Sequence, residues 1–180
     1  ADTTQTPNSR WYPGSGIYRD VNLFVGSRHH IELDGVRIVT KSIDPAVLAV
    51  EVSASKTDAM EIVTEIIQDG RTVATGKGAN AEIPIPDARL WDAEHPHLYD
   101  VRVMLVEDGA IIDETRERTG IRTLDWNAAQ GFLVNGTPVK LRGGCVHHDH
   151  GPLGACSFKK AEYRRIRIMK EAGFNAVRYA

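Results

Sequence analysis

Short runs that alternate apolar with polar residues dominate the chain from residue 21 to about residue 123. Val101, Val103 and Leu105, for example, occupy alternate positions, as expected of a strand with one buried face. About seven such runs fit within about a hundred residues, and a series of this kind is typical of an immunoglobulin-type sandwich. This part of the chain is therefore predicted to be a two-sheet β-sandwich.

Turn-forming dipeptides separate several of these runs. Asp34-Gly35, Asp69-Gly70 and Asp108-Gly109 are each predicted to form a hairpin turn, because Asp and Gly tolerate the positive φ that tight hairpins require. Residues 83–86 contain two prolines, which suits a sheet edge or a crossover better than a central strand. The predicted strands are His30–Leu33, Val36–Thr40, Leu48–Ser53, Glu61–Gln68, Thr72–Gly76, Leu98–Val106 and Ala110–Arg118.

The pattern changes after residue 123. Gly131–Val134 and Val139–Leu141 flank Asn135-Gly136, which predicts a hairpin with an Asn-Gly turn. Cys145-Val146 is predicted to be the end of a further strand, and a cluster of His and Asp residues follows it directly at 147–150.

A helix is predicted from about Phe158 to Ala172, with Ser157 as its N-cap and Gly173 as the residue that ends it. Asn175–Tyr179 then begins an apolar strand. Strand, loop, helix and strand make one β-α-β unit, whose strands need further neighbours on both sides. The unit is therefore predicted to be the first part of a larger α/β barrel.

Composition narrows the function classes without choosing one. The net charge of −2, with 42% hydrophobic and 26% charged residues, excludes a disordered chain and a basic nucleic-acid-binding surface. No apolar run approaches the roughly 18 residues of a membrane helix. From the charge and the apolar runs together, neither nucleic acid nor a membrane is an expected partner. The 2 cysteines are too few for a disulfide scaffold. No signal peptide is visible, which leaves the cytoplasm and the periplasm open.

Four motifs carry a resemblance to a known family. Gly131–Gly151, GFLVNGTPVKLRGGCVHHDHG, resembles the opening of the catalytic barrel in glycoside hydrolase family 2, which contains β-galactosidases, β-glucuronidases and β-mannosidases. Gly173–Arg178 resembles the second barrel strand of that family. Arg10–Val21 is similar to the last strand of its jelly roll, and Leu90–Tyr99 to an element of its immunoglobulin-like domain.

The resemblance implies a mainly β fold in three parts. Residues 1–22 would be the end of a sugar-binding jelly roll, residues 23–124 an immunoglobulin-like β-sandwich, and residues 125–180 the first β-α-β portion of a TIM barrel. Because HHDHGPLG is most similar to β-galactosidases, the implied function is that of a segment of a retaining enzyme that cleaves terminal β-D-galactosides. A β-glucuronidase of the same family, and a non-catalytic β-sandwich that serves as a binding or interaction module, are the alternatives.

The resemblance also implies site residues. His147 would hydrogen-bond a sugar hydroxyl, Arg178 would hydrogen-bond the nucleophilic carboxylate, and Asp149 is a third candidate for the substrate pocket. Both catalytic glutamates would lie beyond Ala180, so the chain by itself is expected to be inactive. The implied partners are a β-galactoside-type carbohydrate and further copies of the parent enzyme in a homo-oligomer.

Two further interpretations concern ligands. The close spacing of His147, His148, Asp149 and His150 suggests a metal site, but adjacent side chains at a strand end point in different directions. A structural role within the barrel mouth is therefore preferred for His148, Asp149 and His150, and neither metal nor cofactor is expected in this chain. The resemblance leaves a divalent metal ion open for the parent enzyme. The tryptophans at 11, 91 and 126 are predicted to fill packing positions rather than to stack on sugars.

Overall fold

The computed structural model describes residues 17, 20–55, 60–147, 150, 154 and 156–179 of the chain. The fold of this part is mainly β, as predicted, with one helix. The elements in chain order are β1 (Ile31–Ile43), β2 (Ala46–Ala54), β3 (Glu61–Gln68), β4 (Arg71–Lys77), β5 (Asn80–Pro84), β6 (Tyr99–Glu107), β7 (Ala110–Thr119), β8 (Leu124–Asn127), β9 (Gly131–Val134), β10 (Thr137–Pro138), β11 (Gly143–Val146), α1 (Lys159–Glu171) and β12 (Ala176–Tyr179).

Strands β1 to β7 form two antiparallel sheets, with strand orders β1-β2-β5 and β4-β3-β6-β7. Alternate residues of each strand face inward, so the apolar side chains of both sheets meet in one core. Tyr99 is the largest fully buried side chain, and its hydroxyl accepts a hydrogen bond of 2.8 Å from the Arg89 amide. The other fully buried apolar side chains of the same core include Leu48, Val50, Ile66, Val101, Val103, Leu105 and Ile121. The predicted sandwich is confirmed.

Two of the three predicted Asp-Gly turns are confirmed. Asp69-Gly70 joins β3 to β4, and Asp108-Gly109 joins β6 to β7, with positive φ at all four residues. The turn predicted at Asp34-Gly35 is wrong, because both residues lie inside the single long strand β1. The register against β2 shifts at this point, so the positive φ of Asp34 serves a bulge instead of a chain reversal.

The glycine at the bulge explains why the strand continues. A Cβ atom at Gly35 would lie 2.6 Å from the carbonyl oxygen of Ser53 in β2. Only glycine allows the two backbones to pass this closely, and they remain paired from Val36 onward. The proline-containing segment behaves as predicted, because β5 ends at Pro84 and forms the edge of its sheet.

The predicted hairpin at Asn135-Gly136 is confirmed between β9 and β10, and β8 adds a third antiparallel strand that the sequence pattern did not reveal. The Asn135 side chain accepts a hydrogen bond from the Thr123 amide at 3.0 Å and donates one to the Trp91 carbonyl at 3.0 Å. These contacts connect the turn to residues next to the sandwich strands, and residues 24–139 form one compact unit. The domain boundary after residue 124 stays a prediction.

Strands β11 and β12 are parallel neighbours, and α1 lies between them in the chain, which makes the predicted β-α-β unit. At the C-terminus of α1, the Gly173 amide donates to the Lys170 carbonyl and the Phe174 amide donates to the Met169 carbonyl. Gly173 has a φ of +87°, so the predicted helix end is confirmed as a Schellman motif. The barrel of which this unit would be the opening stays a prediction.

The N-terminal cap of α1 differs from the prediction. Phe158 occupies the N-cap position and makes no side-chain capping bond. The Ser157 hydroxyl donates instead to Glu162 Oε1 at 3.1 Å. In an N-cap the hydroxyl oxygen accepts from a backbone amide, whereas this hydroxyl donates to a carboxylate, so the serine supports a side-chain network described below.

Candidate functional site

The carboxyl ends of β11 and β12 define the candidate site. Their parallel register places Cys145 beside Arg178 and Val146 beside Tyr179. His147 follows β11 directly, so His147 and Arg178 both lie at the carboxyl edge of this small sheet. Barrel enzymes use this edge of their sheets for binding and catalysis, which agrees with the candidate residues chosen from the sequence.

Arg178 presents an exposed side chain at this edge. Its Nη1 lies 3.9 Å from Cys145 Sγ, as expected for residues that are paired across two strands and share one face. Among the described residues, no carboxylate forms an ion pair with its guanidinium. The guanidinium is thus available to an acidic partner that the described chain does not supply.

His147 is half-buried, and its carbonyl oxygen accepts a hydrogen bond of 2.6 Å from Arg165 Nη1 of α1. The backbone at the end of β11 is therefore attached to the helix that follows it. Asp149, the third candidate, and its neighbour His148 lie outside the described residues.

A polar network that the sequence did not reveal lies next to these residues. The His150 side chain is only 8% exposed, with Nε2 at 2.8 Å from Glu162 Oε1 and Nδ1 at 2.9 Å from Arg165 Nη2. An arginine can only donate, so Nδ1 must accept and the imidazole proton must reside on Nε2. The hydrogen bonds thus assign His150 as a neutral imidazole that donates to Glu162.

Glu162 is held as a carboxylate by this network. Burial raises the pKa of Glu162, but hydrogen bonds from His150 and Ser157 and the positive charge of Arg165 lower it more strongly, so the pKa lies below its ordinary value. Its Oε2 lies 3.9 Å from Arg165 Nη1. Glu162 and Arg165 are three residues apart on α1, a spacing that places both side chains on one face of the helix. This spacing is the feature of the sequence that could have indicated the network.

The described residues give little support for a metal site. Among them, no group of three or more His, Cys, Asp or Glu side chains could hold a metal ion. None of the helices within the described ranges is long and apolar enough to cross a membrane.

The tryptophans behave differently from one another. Trp91 is half-buried, and the Arg122 guanidinium lies 4.4 Å from its ring centroid, which agrees with the predicted packing role. Trp126 in β8 is 75% exposed, so the packing predicted for this ring is not found within the described residues. Trp11 lies outside them.

Comparison with known proteins identifies the family. Residues 30–122, just over half of the chain, match the family model for glycosyl hydrolases family 2. The chain belongs to glycosyl hydrolase family 2. The matched residues are those of the sandwich, so the family assignment is independent of the motifs at the candidate site.

Relatives and solved structures extend the similarity across the chain. A β-galactosidase of Bacteroides ovatus is 35% identical over 98% of this chain and 23% of that protein. A putative β-glucuronidase of Formosa agariphila is 30% identical over 98% of this chain and 18% of that protein. A crystal structure of a glycosyl hydrolase family 2 member from Bacteroides cellulosilyticus superposes with a TM-score of 0.87, at 35% identity, over 98% of this chain and 27% of that one.

The chain spans less than a quarter of the length of the two named relatives. The structure and the superposition establish the sandwich fold of this family 2 chain. Because the chain is only a small part of its relatives, the activity of a whole enzyme is a matter for proposal.

Proposed function

We propose that the chain is a segment of a retaining glycoside hydrolase that cleaves terminal β-D-galactosides. The observation that carries the proposal is the shared position of His147 and Arg178 at the carboxyl edge of a parallel β-α-β unit, in a chain of glycosyl hydrolase family 2. The β-galactosidase of Bacteroides ovatus, which aligns over 98% of the chain, supports the choice of substrate. The longer protein is called the parent enzyme below.

Arg178 would act on the nucleophile. Its exposed guanidinium has no carboxylate partner among the described residues, and a glutamate from a later part of the parent enzyme would complete the pair. A charge-assisted hydrogen bond would keep that carboxylate ionised and oriented for attack on the sugar. His147 would contact a sugar hydroxyl at the same edge, and Asp149, which lies outside the described residues, is a third candidate for the substrate pocket.

The catalytic pair itself would come from outside this chain. A retaining glycosidase uses one carboxyl group as acid and base and a second as nucleophile. The resemblance of the barrel motifs implies that both are glutamates after later barrel strands. The 180-residue chain should therefore give no turnover, while the parent enzyme should be active as a homo-oligomer.

Among the described residues, no group of three or more His, Cys, Asp or Glu side chains could hold a metal ion. A divalent metal ion in the parent enzyme stays a prediction from the family resemblance.

A β-glucuronidase is the second candidate, because the similar protein of Formosa agariphila carries that name. The two substrates differ at C6, where a glucuronide carries a carboxylate and a galactoside carries a hydroxymethyl group, and at C4, where the hydroxyl is equatorial in a glucuronide and axial in a galactoside. Selectivity between them therefore depends on the contacts at both carbons.

Alanine substitutions in the parent enzyme test the proposed site. Arg178→Ala and His147→Ala should each lower kcat/KM by roughly 30- to 900-fold, the effect of losing one transition-state contact of about 2–4 kcal/mol. Arg167→Ala is the matched control, since Arg167 is exposed on α1 and its Nε lies 3.5 Å from Glu171. If the two site variants were as active as the Arg167→Ala control, the proposed roles would be wrong.

A further inference from the structure

One arginine of α1 contacts both ends of the segment that follows β11. Arg165 Nη1 lies 2.6 Å from the His147 carbonyl oxygen, and Arg165 Nη2 lies 2.9 Å from His150 Nδ1. The first contact fixes the backbone of the candidate sugar-binding residue. The second fixes a side chain three positions later, so a single planar guanidinium joins the start of the segment to its end.

Glu162 completes the arrangement from the same helix face. It accepts the Nε2 proton of His150 at 2.8 Å, and its other oxygen lies 3.9 Å from Arg165 Nη1. The His150 side chain is 8% exposed, that of Glu162 is 22% exposed and that of Arg165 is 23% exposed. Hydrogen bonds that are shielded from water to this extent are stronger than those on an exposed surface.

The chemistry of the contacts is specific to these residue types. The guanidinium donates two hydrogen bonds in fixed directions from neighbouring nitrogens, whereas a lysine ammonium cannot reproduce that planar fork. The neutral His150 is required as well, because a proton on Nδ1 would face the arginine donors.

From these contacts we propose that Arg165, supported by Glu162 and His150, is a positioning residue that sets the place of His147 at the edge of the substrate site. This inference rests on the proposed function of His147. Misplacement of a binding group by about 1 Å can lower a rate by about 10²-fold, so a loosened segment should have a measurable effect on catalysis.

A double-mutant cycle in the parent enzyme tests the proposal. Arg165→Lys should lower kcat/KM by roughly tenfold or more, whereas Arg164→Lys, the matched control on the preceding residue of α1, should leave it unchanged. In the His147→Ala background, Arg165→Lys should cause little further loss, because the residue it positions is already gone. Equal losses in both backgrounds would overturn the proposal.

The same cycle separates this inference from the proposed function. If His147→Ala alone leaves kcat/KM unchanged, the sugar-binding role of His147 is wrong and the inference falls with it. If His147→Ala lowers kcat/KM and the two substitutions are additive, only the positioning role is wrong.

A spectroscopic measurement on the 180-residue chain gives a readout that does not depend on activity. Nitrogen-15 NMR should show His150 with its proton on Nε2, and Arg165→Met should change the tautomer populations. Circular dichroism establishes that the variant is folded, and Arg165→Lys serves in its place if it is not. An Nδ1-protonated His150 in the wild-type chain would overturn the proposal.

Discussion

Asn135 offers a sharp test of how the hairpin is attached to the sandwich. Its backbone has a φ of +51°, and its side chain makes hydrogen bonds of 3.0 Å to the Thr123 amide and to the Trp91 carbonyl. Asn135→Ala removes both hydrogen bonds and places an ordinary L-residue in the left-handed region. The substitution should therefore reduce the free energy of unfolding by two separable effects.

The magnitude follows from these two effects. Each lost hydrogen bond contributes about 0.5–1.5 kcal/mol, so the pair contributes about 1–3 kcal/mol. The left-handed conformation adds about 1–2 kcal/mol for a residue with a Cβ atom. Asn135→Ala should therefore destabilise the chain by about 2–5 kcal/mol, whereas Asn135→Gly, which tolerates the positive φ, should show mainly the hydrogen-bond effect.

Urea unfolding of the 180-residue chain, followed by circular dichroism, measures these differences. Asp108→Ala is the matched control, because Asp108 has a φ of +49° in a hairpin turn and its side chain makes no hydrogen bond among the described residues. It should show the backbone effect alone. If Asn135→Ala destabilised the chain no more than Asp108→Ala, the side-chain hydrogen bonds would contribute nothing and the reasoning would be refuted.

Two further predictions concern the β-α-β unit. The pKa of Glu162 is lowered in the folded chain, so its contribution to stability is complete above the unfolded pKa of about 4.3 and is lost as the pH falls through the folded pKa. Glu162→Gln should therefore weaken the pH dependence of the free energy of unfolding below about pH 4.3. An unchanged pH dependence in this acidic range would contradict the prediction. The strands β11 and β12 form a sheet of two strands with Val177 and Tyr179 exposed, so the 180-residue chain should self-associate in light scattering while a version ending at Val139 stays monomeric. Monomers of both lengths would contradict the second prediction.

Much of the sandwich could be predicted because its signals are local. Strand alternation identified the inward-facing Val101 and Leu105, and Asp-Gly dipeptides identified two hairpins correctly. Asp34-Gly35 was misassigned because a positive φ serves a bulge as well as a turn, and the choice depends on the distance to Ser53 in the neighbouring strand. That distance is not encoded in the dipeptide.

The candidate site was predictable only in part for the same reason. The positions of His147 and Arg178 at one edge follow from the parallel β-α-β pattern, and the helix end at Gly173 follows from local chemistry. The network of His150 and Glu162 joins residues that are 12 positions apart across a loop and a helix face. Such a contact depends on tertiary packing, which no single run of residues specifies.

The substrate preference of the parent enzyme tests the central proposal most directly. We expect kcat/KM for a chromogenic β-D-galactoside to exceed that for the matching β-D-glucuronide by at least about 10²-fold, the selectivity that about 2.7 kcal/mol of differential transition-state binding provides. The 180-residue chain, assayed beside it, should hydrolyse neither substrate. A preference for the glucuronide would contradict the proposed specificity, and the absence of turnover on both substrates by the parent enzyme would contradict the proposed glycosidase function itself.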